Sequence, residues 1–113
     1  MPPEMQAAID IAVHRKDERS FHIGCAIRRG DGVLVRFANS PNKGEIVPSH
    51  HAEARCARKA TPKSVAYIAR VTKEGKLSMS KPCPSCENRL RAAGVKVVFY
   101  TNWVGEIERM SLG

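Results

Sequence analysis

Behind Pro2 and Pro3, apolar residues recur at helical spacing at Met5, Ala8, Ile9, Ala12 and Val13, which predicts an amphipathic helix over residues 4–16. Its apolar face needs a sheet to cover. Residues 21–27 and 33–38 are short apolar runs separated by Arg28-Arg29-Gly30-Asp31-Gly32, and Asp-Gly between two such runs predicts a β-hairpin. Residues 39–49 are rich in Ser, Pro, Asn and Gly and read as a loop that delivers the chain to His50-His51-Ala52-Glu53. A second helix is expected over the Ala- and Arg-rich residues 51–59, stopped at Thr61-Pro62. A third strand over 65–71 is followed by a polar connection, 72–80, that leads to Lys81-Pro82-Cys83-Pro84-Ser85-Cys86. A third helix over 86–93 ends at Gly94, and 95–100 is a fourth apolar strand. Asn102-Trp103-Val104-Gly105 predicts a tight turn into a short strand over 106–110. This order describes a three-layer α/β domain: one mixed sheet of four to five strands with helices on both faces.

Length and composition narrow the reading. At 113 residues the chain is one domain's worth of sequence, so residues 1–113 are read as a single domain. No apolar run approaches the roughly 20 residues of a membrane span, and no membrane partner is expected. The first ten residues lack the basic and apolar regions of a secretory signal, so the expected location is cytoplasmic. There, the four cysteines (Cys25, Cys56, Cys83 and Cys86) are expected as thiols or metal ligands in preference to disulfides. A net charge of +8 suits a polyanionic partner or a phosphorylated substrate. The basic residues are spread along the whole chain, as they also are on a surface that simply keeps a small protein soluble.

The chemistry lies in a combination. His51-Ala52-Glu53 and the later Pro82-Cys83-Pro84-Ser85-Cys86 offer one imidazole and two thiolates, a set that Zn²⁺ favours in tetrahedral geometry. Three protein ligands leave the fourth position to water, the arrangement of catalytic sites. Both motifs open predicted helices, where the partial positive charge of the N-terminus lowers a thiol's pKa toward the thiolate. Pro82 and Pro84 stiffen the turn so that Cys83 and Cys86 chelate one ion, one Zn²⁺ per chain. Glu53 points differently from His51 and reaches the water instead of the metal. The alternative is a structural four-ligand staple closed by His50, Cys25 or Cys56. Structural sites more often arrive as two paired-ligand motifs and have no use for a carboxylate beside a ligand. Cys25 and Cys56 are read as small core residues.

These residues resemble the zinc-dependent cytidine/deoxycytidylate deaminase superfamily, whose signature pairs His-x-Glu with Pro-Cys-x-x-Cys. Ser20-Phe21-His22-Ile23-Gly24-Cys25-Ala26 is similar to the first-strand segment of cytidine deaminases, and Gly94-Val95-Lys96-Val97-Val98-Phe99-Tyr100 to the strand after the second metal motif. The resemblance runs from about Phe21 to Tyr100. It implies a cytidine-deaminase-like fold and hydrolytic deamination of a cytosine base by zinc-activated hydroxide. Zinc would be held by His51, Cys83 and Cys86, and protons shuttled by Glu53. It further implies that Asn39 binds the sugar or base edge, that the chain at Ala52 and Glu53 engages the pyrimidine, and that Phe21 packs near the nucleoside. For Phe21 a plain core role stands beside that one, and Asn39 also suits a turn. Free-cytidine enzymes usually carry an acidic residue two positions after that asparagine, where this chain has Pro41. The departure leaves room for a nucleotide, its phosphate met by Lys43, Arg36 or the Arg28-Arg29 pair.

Three readings of the substrate remain: a free pyrimidine nucleoside or nucleotide, a cytosine or adenine within single-stranded DNA or RNA, or nucleic acid bound by a non-catalytic zinc module. Charge favours the last two. Polynucleotide deaminases of the superfamily generally place a helix between the fourth and fifth strands, whereas the turn at Asn102 to Gly105 predicts an antiparallel ending like that of the free-cytidine class. A pure binder has no need of Glu53. Trp103 suits base stacking or a lid over the core, and aromatic residues at 5% are few for a stacking platform. Related enzymes complete a shallow pocket with a neighbouring subunit, so a homo-oligomer is expected.

Overall fold

In a computed structural model of the chain, the residues described are 2–13, 21–38, 60–72, 74–82 and 84–112. They form helix α1 (Pro3–Val13), strands β1 (Phe21–Arg28), β2 (Leu34–Ala38), β3 (Ser64–Thr72) and β4 (Leu77–Ser78), helix α2 (Pro84–Ala92), and strands β5 (Val95–Thr101) and β6 (Ile107–Ser111). The strands make one sheet in the order β2-β1-β3-β5-β6, with β4 paired to β3 beyond the end of β5. Only β3 and β5 run parallel, with Val65 opposite Val97 and Ile68 opposite Tyr100; the other pairs are antiparallel. The sheet is therefore mixed, as the sequence predicts, but it has six strands instead of four to five. The extra strand is β4, a two-residue pairing inside the polar connection. Its hairpin is closed by the Thr72 amide on the Lys76 carbonyl and by Gly75 in the left-handed region at φ 84°. No apolar alternation announces a strand this short.

Alternation along the strands divides the core between the two faces. Cys25 and Ile27 of β1, Ala66 and Ile68 of β3, and Val98 and Tyr100 of β5 pack with Leu90 of α2 and with Leu112. On the opposite face Ala26, Ala69, Tyr67 and Phe99 meet Met5, Ala7 and Ala8 of α1. The Tyr67 and Phe99 rings stack there at 5.2 Å. Helices thus cover both faces, the three-layer arrangement expected. Among the described residues no helix is long and apolar enough to cross a membrane.

The inward face of α1 is narrower than its sequence periodicity suggests. Met5, Ala7, Ala8 and Ala12 are buried, whereas Val13 is 55% exposed. Small residues suit this face because the helix lies directly on the β1 backbone. A Cβ at Gly24 would overlap the Ala8 carbonyl oxygen and come within 2.9 Å of the Ile11 methyl. The Asp-Gly hairpin forms as predicted: Gly32 takes a left-handed φ of 91°, and the Asp31 carboxylate accepts the Val33 amide at 3.1 Å. Helix α2 ends at Gly94, which combines a φ of 98° with a position where a Cβ would stand 2.7 Å from the Pro62 Cα. The predicted helix over 51–59 lies outside the described residues.

Candidate active site at the carboxyl end of β3 and β5

Parallel strands β3 and β5 end together, and the chain enters α2 at that end. Ligands of open α/β sheets bind outside the carboxyl ends of the strands, where loops from several elements converge. Antiparallel pairing brings the start of β1 to the same place, since Phe21 is opposite Thr72. The β2 strand also finishes toward it, with Ala38 opposite Gly24. Four strands and helix α2 therefore contribute to one rim of the sheet.

The approach to the cysteine motif is fixed by Ser80, 5% exposed, and Thr101, fully buried. The Ser80 amide donates to the Thr101 carbonyl at 2.8 Å. Its hydroxyl donates to the Ile68 carbonyl at 2.8 Å and accepts the Thr101 amide at 2.7 Å. The Thr101 hydroxyl donates to the Ser78 carbonyl and accepts the Arg70 amide at 3.4 Å. Two hydroxyl protons already have carbonyl acceptors, so the 2.9 Å contact between the two hydroxyl oxygens acts as a hydrogen bond only when one of them turns aside. Burial makes each of these bonds expensive to lose.

From Ser80 the chain alternates: Lys81 is exposed and Pro82 is buried. Helix α2 follows from Pro84, and Cys86 lies in its first turn, fully buried. The far end of α2 is held by Leu90 in the core and by the Arg91 guanidinium, which donates to the Leu112 carbonyl at 2.9 Å. A thiol at the positive end of a helix dipole is chemically suited to bind a metal as thiolate. The donor at Cys86 therefore fits the zinc site expected from the sequence. His51, Glu53 and Cys83 lie outside the described residues, as do Asn39, Ala52, His50 and Cys56. Among the described residues no group of three His, Cys, Asp or Glu side chains is placed to hold a metal. Phe21 opens β1 at this rim.

Cys25 occupies the core with Ile27, Ile68 and Leu90, as its small-residue reading requires. Trp103 is not a lid: it is 71% exposed at the tip of the β5–β6 turn. That turn is rigid, because the Asn102 side-chain oxygen accepts the amides of Val104 at 3.0 Å and Glu106 at 2.9 Å. Ser80 and Thr101 escaped sequence reasoning. Each is a lone hydroxyl residue at the end of a segment, and only the fold shows that they meet.

The sequence matches the family described as "Cytidine and deoxycytidylate deaminase zinc-binding region" over residues 4–102. The chain belongs to this family. A cytidine deaminase from Burkholderia pseudomallei has a similar structure, with a TM-score of 0.69 at 21% identity over 100% of this chain and 94% of the other. Cytidine deaminases from Mycobacterium leprae and Mycobacterium tuberculosis are also similar. The first has a TM-score of 0.61 at 20% identity, over 93% of this chain and 88% of that one. The second has a TM-score of 0.62 at 20% identity, over 96% and 87%. At these identities the likeness shows the cytidine-deaminase fold. No curated protein sequence matches the chain. Family membership makes this a deaminase with a zinc-binding region.

Proposed function

We propose that the chain is a hydrolytic deaminase of a free cytosine nucleoside or nucleotide, holding one zinc through His51, Cys83 and Cys86. The observation that carries this reading is the buried Cys86 thiol in the first turn of α2, at the carboxyl end of β3 and β5. Zinc bound there supplies the Lewis acidity that makes water nucleophilic near neutral pH. Glu53 takes a proton from the attacking water, gives it to the ring nitrogen and later assists the departing ammonia. One water is consumed and one ammonia released, turning cytosine into uracil. Asn39, the chain at Ala52, and Phe21 orient the nucleoside. A cytoplasmic homo-oligomer completing the pocket belongs to the same reading.

The choice of a free substrate is supported by the β5–β6 hairpin, whose strands pair antiparallel from Thr101 and Ile107 to Val97 and Ser111. The charge of +8 favours a strand of nucleic acid instead. However, among the described residues exposed Arg36, Lys63, Lys81, Lys96 and Arg109 lie on different elements and at both ends of the sheet, and these five do not form the single track a polynucleotide follows.

The catalytic assignment is tested by Glu53→Gln. The variant should keep one zinc per chain by metal analysis and lose ammonia release by about 10²–10⁴-fold. Retention of more than about a tenth of the wild-type rate, a difference of only ~1.4 kcal/mol in barrier, would place the proton transfers elsewhere.

A further inference from the structure

We propose that Ser80 is a positioning residue for the zinc-ligand turn, setting metal affinity through the point at which the chain enters α2. The inference rests on the reading of Cys83 and Cys86 as zinc ligands. Cys83 follows Ser80 by three positions, a span of at most roughly 10 Å of extended chain. Whatever fixes Ser80 therefore restricts where the ligand turn begins. Ser80 is fixed from three sides: its amide and hydroxyl bond Thr101 of β5, and its hydroxyl also bonds Ile68 of β3. Pro82, buried next to the motif, removes one backbone rotation between the anchor and the ligands. The other side of the turn is fixed by Leu90 and by the Arg91–Leu112 bond.

The buried hydroxyl thus joins the two parallel strands at the place where their carboxyl ends would otherwise part. Metal affinity depends on how little ordering the ligands must undergo when they bind. Groups that orient ligands without touching the metal typically change affinity about 10–100-fold when removed. Ser80 acts on the chain that carries the ligands and not through a bond to a ligand atom.

A matched control exists in the same strand system. Ser64, also fully buried, donates its hydroxyl to the Thr61 carbonyl at the opposite end of β3. Removing either hydroxyl should weaken the fold, and metal binding is coupled to folding. Only Ser80 adjoins the ligand turn.

The experiment measures zinc dissociation constants by chelator competition for wild type, Ser80→Ala and Ser64→Ala, at a temperature where circular dichroism shows each folded. Ser80→Ala should bind zinc about 10–100-fold more weakly than wild type. Ser64→Ala should stay within about twofold while losing comparable thermal stability. Unchanged affinity in Ser80→Ala, or an equal loss in Ser64→Ala, would overturn the proposal. Should Ser80→Ala fail to fold, Thr101→Val decides. It removes the hydroxyl that bonds the Ser78 carbonyl and lies 2.9 Å from the Ser80 hydroxyl, so it loosens the same stretch of chain while keeping the backbone partners of Ser80, and it should weaken zinc binding by a smaller factor; no change would overturn the proposal. A wild-type protein that takes up no zinc would overturn the underlying reading, a result separate from all of these.

Discussion

The Ser80 hydroxyl accepts the backbone amide of Thr101 at 2.7 Å, a serine from the approach to one helix completing the hydrogen bonding of a strand that begins after that helix. Both residues are buried, so the Thr101 amide has no ready access to water once the hydroxyl is removed. Leaving a buried donor without its partner costs about 1–3 kcal/mol. Ser80→Ala should therefore lower the unfolding free energy by about that much. Thr101→Ser, which retains the hydroxyl, should lose distinctly less. Urea unfolding of the two variants checks the order, and equal losses would show that the hydroxyls are not what matters.

Gly24 marks the closest approach of α1 to the sheet. In Gly24→Ala the new methyl would overlap the Ala8 carbonyl oxygen, a backbone atom that cannot swing aside as a side chain would. The helix must lift, and overpacking of this kind typically costs about 1–3 kcal/mol. Denaturant unfolding should show at least that loss. A Gly24→Ala protein as stable as wild type would mean that α1 is not seated on β1 in this way.

Burial holds the phenols of Tyr67 and Tyr100 above their ordinary pKa of about 10. For Tyr67, Glu4 raises the value further and Arg28 opposes it; for Tyr100, Glu108 adds to the rise by its charge and by a hydrogen bond. The folded state thus favours the neutral phenol. This contribution is complete below about pH 10, and it is lost as the pH rises from there through the folded-state values. Unfolding midpoints measured from pH 9 to 11 should fall, and they should fall less in Tyr100→Phe. An unchanged slope would remove the tyrosines as its cause.

Much of this architecture was legible in the chain because burial imposes a period. The strands over 21–27, 65–71 and 95–100 were found to within a residue or two at each end, and the Asp31-Gly32 turn was found because only certain residues accept its geometry. Strand β4 was not legible, since two residues carry no period. Helical spacing places Val13 on the apolar face, yet it is the last residue of α1 and is exposed. At the site, the spacing of His51-Ala52-Glu53 and Cys83 to Cys86 pointed to the family, and the match over residues 4–102 shows it. Ser80 and Thr101 were not legible, because a hydroxyl pair brought together from distant segments leaves no local pattern.

The central claim, deamination of cytosine in a free nucleoside or nucleotide, is tested most directly by ammonia release from zinc-loaded protein supplied with cytidine, deoxycytidine, CMP, dCMP, a single-stranded oligonucleotide or tRNA. The account predicts that kcat/KM is highest for one of the four small substrates and depends only shallowly on salt, since a mononucleotide offers a single phosphate to bind. An oligonucleotide bound through 6–10 phosphates would instead lose about 10³–10⁵ in affinity between 50 and 200 mM salt. If kcat/KM is highest for the oligonucleotide or tRNA and falls steeply over that range, the basic surface is the substrate track and the account is contradicted.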